Sequence, residues 1–236
     1  MSLPPHSQDD NTALFRRAWT LYDAISEKNY MFHQEIYAQV SELLRQRHAR
    51  GPYHLLDLGC GNARFLAPCL KAVPPASYDG VDLSATALEE ARGHLQGLSN
   101  TALHHKDMLQ AVEATDCAFD VIFSGFAVHH LDSAAKQRLF TACAERLAPG
   151  GQFILVDVVR EEGQTREQYL DGYLNFMRTQ WTEVLPEHLD QACAHVSAYD
   201  FPETLADLTQ MARAAGLSQT RVMDHFAQHQ LMVFLG

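Results

Sequence analysis

The 236-residue sequence lacks the features that mark several classes of protein. No stretch approaches the roughly 18 uninterrupted apolar residues that a membrane-spanning helix requires. The five cysteines are an odd number and contain no Cys-x-x-Cys pair, which argues against a disulfide framework and favours reduced thiols. The first residues carry neither a basic start nor an apolar core, so we expect no signal peptide. These absences predict a cytoplasmic protein with no membrane partner.

Basic residues are also scarce. The chain has 18 Lys and Arg residues against 29 Asp and Glu residues, which gives a formal net charge of −11. Proteins that follow nucleic-acid backbones need basic patches for phosphate contacts, and no basic run here is longer than Arg16-Arg17 apart from the local stretch 45–50. The apolar fraction of 47% is that of an ordinary globular domain. We therefore expect a small-molecule substrate and no nucleic acid, and the sequence leaves the oligomeric state open.

Two helical patterns open the chain. Apolar residues at intervals of three and four predict a first helix over residues 14–25 and a second from about Tyr30 to Ala49. From Tyr53 onwards, short apolar runs alternate with helical patterns, and the runs are His54–Leu58, Tyr78–Leu83, Ala102–His105, Phe119–Ser124 and Phe153–Val159. Such alternation is typical of a parallel sheet covered by helices on both faces. We therefore divide the chain into an N-terminal helical cap, residues 1–51, and an α/β domain, residues 52–236.

A long segment, about Glu161–Tyr199, interrupts the alternation. Thr165 and Gln168 have the spacing of a capping box, and aromatic residues follow them at helical spacing. Asp200 and Glu203 have the same spacing as that pair, so they predict the start of a further helix.

The strongest motif joins a strand to a helix through two glycines. In the sequence Asp57-Leu58-Gly59-Cys60-Gly61, the first strand pattern ends at Leu58, directly after an acid. The two glycines that follow predict a tight turn. Glycines at such a turn let the backbone approach a ligand closely, and the start of the next helix offers free N–H groups. Asp82 ends the next strand, 21 residues after Gly61, where a carboxylate can accept both hydroxyls of a ribose. The sequence therefore predicts a site for a nucleoside-containing cofactor.

The motif differs from a dinucleotide fingerprint at two positions. Arg64 stands where that fingerprint has its third glycine. Asp57 would repel a pyrophosphate, and it suits a ligand with a cationic end, such as an amino group. The pattern instead resembles that of the class I S-adenosylmethionine-dependent methyltransferases, with Ala63 in place of their third glycine.

The resemblance extends over about residues 52–160 and 200–236. The segment Tyr78–Ser84 resembles the ribose strand of this family, Lys106-Asp107-Met108 resembles its adenine loop, and Phe119–Leu131 resembles its fourth-strand motif. The resemblance implies S-adenosyl-L-methionine as the cofactor. The residues that it places at the cofactor are Asp57, Gly59, Cys60, Gly61, Arg64, Asp82, Leu83, Asp107, Met108, Ser124, Gly125 and Phe126.

The fold that we expect is α/β, a three-layer, doubly wound sandwich with a seven-stranded, mostly parallel sheet and an antiparallel last strand. Strand patterns at residues 220–226 and 229–235 would supply its closing hairpin. The insertion at about residues 161–199 and the N-terminal helices would form a helical lid over the carboxyl ends of the strands. Ligands of open α/β sheets bind at these ends.

Candidate catalytic residues are few. His129 and His130 stand where the active site of this family opens, and a neutral imidazole can act as a general base. Tyr22 and Tyr30 lie on the N-terminal helices, which in this family cover the cofactor; core packing is the alternative for each of these side chains. The candidate residues of the substrate lid are His33, Tyr169, Tyr173, Phe176 and Trp181. No group of His, Asp and Glu residues has the sequence spacing of metal ligands, so we expect no metal.

These features favour in-line transfer of a methyl group from S-adenosylmethionine to a small molecule. The sulfonium makes the methyl group electrophilic, so the protein has mainly to align an acceptor and exclude water. Two alternatives stay open. A cyclase or aminocarboxypropyl transferase of this fold would attack another carbon and release methylthioadenosine. A non-catalytic binding protein would keep the same cofactor residues.

Overall fold

The computed structural model describes residues 25–26 and 28–236, so the candidate Tyr22 and nearly all of the predicted first helix lie outside the described residues. The helices described are α1 (His33–His48), α2 (Leu66–Ala72), α3 (Ala85–His94), α4 (Met108–Ala114), α5 (Ser133–Arg146), α6 (Arg166–Gln180), α7 (Pro186–Tyr199) and α8 (Leu205–Ala214). The strands are β1 (His54–Leu58), β2 (Ser77–Asp82), β3 (Thr101–His105), β4 (Phe119–Gly125), β5 (Leu147–Arg160), β6 (Glu203–Thr204), β7 (Gln219–Phe226) and β8 (His229–Leu235). Over these described ranges, every helix falls short of a membrane span in length or in apolar character.

The strands form one mixed sheet in the order β3-β2-β1-β4-β5-β8-β7, with β6 paired to β5 beside this path. Strands β1 to β5 run parallel, whereas β8 is antiparallel to both β5 and β7. The predicted α/β fold with its antiparallel last strand is confirmed. The order reverses between β1 and β4, and ligands of such sheets bind outside the carboxyl ends of the strands at this point.

Apolar side chains cover both faces of the sheet. Leu55 of β1 and Phe123 of β4 pack with α1, α2 and the insertion on one face, whereas Leu56 and Ile122 pack with α5 on the other. Successive residues face opposite sides because side chains alternate along a strand. The resulting three layers bury the central strands on both sides, which explains their continuous apolar runs.

The start of the last helix differs from the prediction. Asp200 and Glu203 were predicted to open it, and this is wrong because Thr204 and Asp207 form the capping box of α8. Glu203 belongs to β6, where it pairs with Val159 of β5, so the chain is still extended there. Asp200 instead follows the end of α7, and its side chain is buried. Asp200 with Glu203 and Thr204 with Asp207 have the same sequence spacing. The hydrogen bonding of β6 to β5 keeps Glu203 extended, so the helix begins after Thr204.

Candidate active site

A cavity opens at the carboxyl ends of the central strands. Its volume of about 510 Å³ lies in the range of small-molecule sites. Asp57, Asp82 and Asp107, which each follow or end a strand pattern, line one part of it. Met177 of α6 and Val196 of α7 also line it. The cavity therefore joins the predicted cofactor residues to the helical insertion.

The turn after β1 brings the backbone to the edge of this cavity. Gly59 has a φ of 75° and Gly61 a φ of 52°, in the left-handed region that costs glycine no steric penalty. A Cβ atom on Gly59 would overlap the Cβ atom of Ala127. Ala63 shares the left-handed conformation, with a φ of 55°, at a cost of about 1–2 kcal/mol for a residue with a side chain. The family's third glycine suits this position, and Ala63 keeps its conformation under strain.

Two backbone amides hold the carboxylate of Asp82. Gly61 N donates to Oδ2 at 2.8 Å, and Ser84 N donates to Oδ1 at 2.7 Å. Burial raises the pKa of Asp82, and the hydrogen bonds from these amides oppose the rise. A carboxylate has about four lone-pair sites, so each oxygen can accept a further donor. Two oxygens fixed side by side in the cavity wall fit the two hydroxyls of a ribose.

Leu83 and Asp107 flank the same part of the cavity. Leu83 is a large apolar residue that leaves 46% of its surface exposed, and it lines the cavity together with Met108. Asp107 caps α4, because its Oδ1 accepts a hydrogen bond from Gln110 N at 2.9 Å. Exposed apolar surface beside a carboxylate fits a flat purine ring with an exocyclic amino group.

Asp57 is the buried acid of the glycine motif. Its Oδ2 accepts a hydrogen bond from the hydroxyl of Tyr78 at 2.8 Å. Burial raises the pKa of Asp57 to about 7; the hydrogen bond from Tyr78 opposes the rise and the charge of Asp82 adds to it. A cationic ligand group would favour the ionised carboxylate. The amino group of S-adenosylmethionine is such a group, so Asp57, Asp82 and Asp107 together fit this cofactor.

The cavity brings together all but one of the predicted cofactor residues. Its lining also includes Gly59, Cys60, Gly61, Arg64, Gly125 and Phe126. Phe126 has a φ of 57°, and backbone strain of this kind is found at functional sites. Ser124 is the exception, because its buried hydroxyl donates to Leu58 O at 2.7 Å and so ties β4 to β1. We interpret Ser124 as a structural residue.

Helices α6 and α7 contribute to the wall of the cavity. Helix α6 begins at the predicted capping box of Thr165 and Gln168. Tyr173 and Trp181 of the predicted lid line the cavity. The other predicted lid residues pack outside the lining; they are His33, Tyr169 and Phe176. His33 stacks on Phe65 with ring centroids 4.2 Å apart, so its role in the structure is packing.

Tyr30 connects the N-terminal region to the insertion. Its ring stacks on Trp181 with centroids 5.7 Å apart, and its hydroxyl accepts a hydrogen bond from Glu183 N at 2.9 Å. Lys28 Nζ adds an ion pair with Glu183 at 2.7 Å. Tyr30 does not line the cavity, so these contacts give it a positioning role towards Trp181 and no contact with reacting atoms.

His129 lies between two carboxylates at one end of the cavity. Its Nδ1 forms a hydrogen bond with Asp157 Oδ1, and its Nε2 lies 3.6 Å from Asp200 Oδ1. Burial lowers the pKa of His129, but Asp157 and Asp200 outweigh burial and raise the pKa to about 9. With no cation bound, this raised pKa favours the protonated ring at neutral pH, and a protonated ring cannot act as a general base. Burial and the charge of His129 hold the pKa of His130 well below its usual value, so that ring is neutral.

Sequence reasoning missed the two carboxylates of this cluster. Asp157 is an acid inside the apolar run of β5, and this contrast is the one signal that the sequence offers. Asp200 follows His130 by 70 residues and matches a helix cap, so sequence spacing does not connect it with the histidines. The fold places ligand atoms of His129, His130 and Asp200 within 4.8 Å of one another. We expected no metal because no residues have the sequence spacing of metal ligands. That criterion cannot detect a group that only the fold brings together.

Several known proteins similar to this chain are methyltransferases. A family model described as a methyltransferase domain matches residues 55–151. The chain is 27% identical over 177 residues to trans-aconitate 2-methyltransferase from Acidovorax sp. (strain JS42), a match that covers 75% of this chain and 65% of that protein. It is 29% identical over 125 residues to malonyl-[acyl-carrier protein] O-methyltransferase from Halalkalibacterium halodurans, which covers 52% and 45%. The solved structure of an O-methyltransferase family protein from Burkholderia thailandensis shares the fold, with a TM-score of 0.69, 19% identity and coverage of 97% and 62%.

The fold and the cavity define an α/β protein that binds a nucleoside-containing cofactor at the carboxyl ends of its strands. Residues 55–151 match a methyltransferase domain, and together with the relatives this match supports a class I S-adenosylmethionine-dependent methyltransferase. The predicted class and its cofactor, S-adenosyl-L-methionine, are thereby confirmed. The chain spans less than two thirds of the length of each of these relatives, so its own activity and acceptor are matters for proposal.

Proposed function

We propose that this protein transfers the methyl group of S-adenosylmethionine to an oxygen atom of a small molecule. The observation that carries the proposal is the cavity that joins Asp57 and Asp82 to the apolar side chains of Met177 and Trp181. Met177 and Trp181 are not among the residues that we assign to the cofactor, so we assign them to the acceptor. One of the relatives is named as an O-methyltransferase, which supports an oxygen acceptor.

Alignment of two reactants in one cavity accounts for most of the catalysis that we propose. When bound, S-adenosylmethionine supplies an electrophilic methyl group, and Asp57, Asp82 and Asp107 hold its amino, ribose and adenine groups. Met177 and Trp181 hold an apolar acceptor and exclude water. Orientation of this kind can give effective molarities of about 10⁵ M or more.

The polar end of the cavity, formed by His129, His130 and Asp200, would control the proton of the acceptor. Burial raises the pKa of Asp200 to about 6 against the opposing charge of His129, so its carboxylate is mostly ionised at neutral pH. Among the described residues, its Oδ1 has no hydrogen-bond partner. This oxygen can accept a hydrogen bond from an acceptor hydroxyl, and the charge of His129 would stabilise the resulting anion.

A small acceptor also suits the charge of the chain. A net charge of −11 opposes binding to nucleic-acid phosphates, so we propose no nucleic-acid partner. The five cysteines are free thiols, four of them buried, which supports a reducing cytoplasmic location.

Mass spectrometry of the reaction products tests the proposal. The purified protein would be incubated with S-adenosylmethionine and a panel of small phenols, alcohols and carboxylic acids. We expect adenosylhomocysteine together with an acceptor that has gained one methyl group on oxygen. The Asp82→Ala variant, as a control for non-enzymatic methylation, should form neither product at a comparable rate. Release of methylthioadenosine would overturn methyl transfer, and methylation on carbon or nitrogen would overturn the oxygen assignment.

A further inference from the structure

Three side chains with metal-ligating atoms meet at the polar end of the cavity. We propose that His129, His130 and Asp200 form a binding site for a divalent transition-metal ion of the zinc type. Metal binding at this site would be a property of the protein itself, whatever acceptor it uses. The role of the ion towards an acceptor is a separate step, and that step rests on the proposed methyl transfer.

The distances between the ligand atoms suit one ion. Asp200 Oδ1 lies 3.6 Å from His129 Nε2 and 3.6 Å from His130 Nδ1, and the three groups offer ligand atoms within 4.8 Å of one another. Bonds of 2.0–2.2 Å in a tetrahedral arrangement place two ligand atoms about 3.3–3.6 Å apart. Two of the separations therefore match within a few tenths of an ångström, and the groups need only small side-chain movements to share an ion.

The Oδ1 atom of the Asp200 carboxylate is a buried hydrogen-bond acceptor. Its side chain is 5% exposed, and within the described part of the chain Oδ1 has no hydrogen-bond partner. Both imidazole nitrogens at 3.6 Å are too far for a good hydrogen bond. A buried acceptor without a partner destabilises the folded state, and does so more strongly when it is charged. A bound cation at this position would remove that destabilisation.

The second carboxylate of the cluster orients His129 for metal binding. Asp157 bonds to Nδ1 of this ring through Oδ1, and its Oδ2 accepts the backbone N–H of His129 at 2.8 Å. Histidines that bind metals usually donate their other ring N–H to a carboxylate or a carbonyl group. The arrangement leaves Nε2 facing Asp200. His130 differs in this respect, since its Nδ1 also lies 3.2 Å from Tyr199 O, and metal binding through Nδ1 would have to replace that contact.

The ligand set selects the class of ion. Two imidazole nitrogens with one carboxylate oxygen suit zinc, iron or cobalt, whereas magnesium and calcium prefer oxygen ligands alone. Three protein ligands leave a coordination position open, and all three residues line the cavity. An ion there would replace the proton on His129 and occupy Asp200 Oδ1, so the ion, in place of the charged ring, would hold the oxygen of an acceptor as its anion. This would define the acceptor as a small molecule with an acidic hydroxyl or carboxyl group.

A proton on His129 is the competing occupant of this space. In that alternative the protonated ring pairs with both carboxylates, and no metal binds. Zinc titration separates the two cases without any need for turnover. The protein, untagged and treated with chelator, would carry Cys117→Ser, because Cys117 is an exposed thiol that could bind zinc at the surface. Competition with a chromophoric chelator would give the stoichiometry and the dissociation constant.

We expect one zinc ion per chain with submicromolar affinity and no competition from millimolar magnesium. Asp200→Asn and His130→Ala should each weaken zinc binding by at least about 100-fold, and Asp157→Asn by about 10–100-fold. His104→Gln is the matched control, since His104 pairs with Asp79 at 2.9 Å on β3 and should bind zinc as the parent does. Circular dichroism and thermal unfolding would show that each variant is folded.

Two results would overturn the metal site. One is the absence of stoichiometric zinc binding by the parent protein. The other is zinc affinity that stays unchanged in folded Asp200→Asn and His130→Ala. Calorimetry with S-adenosylmethionine on the same samples reports separately on the cofactor site. Intact cofactor binding without zinc binding would remove this inference and leave the proposed methyl transfer standing.

Discussion

The backbone N–H of Gly61 donates to Oδ2 of Asp82 at 2.8 Å, so the glycine turn after β1 and the acid that ends β2 form one unit. Residues far apart in the sequence thereby hold a carboxylate in one orientation at the cavity wall. Because the amides already fix the side chain of Asp82, cofactor binding does not have to order it. The two adjacent hydroxyls of a ribose can then donate to the two carboxylate oxygens of Asp82.

Replacement of Asp82 should weaken cofactor binding. Hydrogen bonds to a charged group contribute about 1.5–3 kcal/mol each, so Asp82→Ala should reduce the affinity for S-adenosylmethionine by at least about tenfold. Isothermal titration calorimetry would measure the change. Asp79→Ala is the control, because Asp79 lies on the same strand and bonds to His104 at 2.9 Å. Equal affinity in parent and folded Asp82→Ala would contradict the ribose site.

The strain at Ala63 gives a prediction on stability. Ala63→Gly should raise the free energy of unfolding by about 0.5–1 kcal/mol, because relief of the left-handed strain exceeds the added entropy of the unfolded chain. Ala91→Gly is the control with the opposite sign, since Ala91 is a buried residue of α3 and its loss should cost about 1 kcal/mol or more. Urea unfolding would compare the two. A destabilised Ala63→Gly variant would show that the methyl group contributes more by packing than it costs in strain.

Asp57 makes stability depend on pH. Its pKa is about 7 in the folded protein, where burial raises it, and about 3.9 in an unfolded chain. Because the folded value is the higher one, the contribution of Asp57 is fully present below the unfolded pKa and is lost as the pH rises through 7. Without cofactor, Asp57→Asn should therefore unfold at higher urea than the parent at pH 8 and at similar urea at pH 4. A variant with the same pH dependence as the parent would contradict this.

The same substitution should have the opposite effect on the cofactor. A neutral amide cannot pair with an ammonium group, so Asp57→Asn should bind S-adenosylmethionine at least about tenfold more weakly at pH 8. For the parent, affinity should rise with pH towards 7 and fall again above about 8, because binding needs both the ionised carboxylate and the protonated amino group, whose pKa is about 8. Calorimetry over this pH range would measure both effects. A gain in stability with no loss of affinity would separate Asp57 from the amino group.

The sequence predicts the fold and the cofactor end of the site better than the polar end. Asp57 and Asp82 could be predicted as site residues because the carboxyl ends of parallel strands lie at the same edge of the sheet. Ser124 was placed with them, but strand alternation turns it away from the cavity while its neighbours Phe123 and Gly125 face it. Asp200 was not readable, because its contact with His129 depends on how the whole insertion folds back.

Contacts of Tyr30 connect the N-terminal region to the cavity through Trp181. The two rings stack, and Trp181 itself lines the cavity, so a ligand that packs on Trp181 should stabilise both segments together. We expect S-adenosylmethionine to slow amide hydrogen exchange in residues 28–37 and 168–181. Helix α5 lies on the opposite face of the sheet and should exchange at an unchanged rate.

Two variants of Tyr30 separate stacking from hydrogen bonding. Tyr30→Phe keeps the aromatic ring and loses the bond from Glu183 N, so ligand should still protect both segments. Tyr30→Ala removes the stack as well, so protection should persist in residues 168–181 and weaken in residues 28–37, where Met31 and Tyr37 line the cavity directly. Hydrogen exchange with mass spectrometry would resolve the two segments. Protection confined to residues 57–107 in the parent protein would show that the N-terminal region and α6 are scaffold, and that neither closes over the ligand.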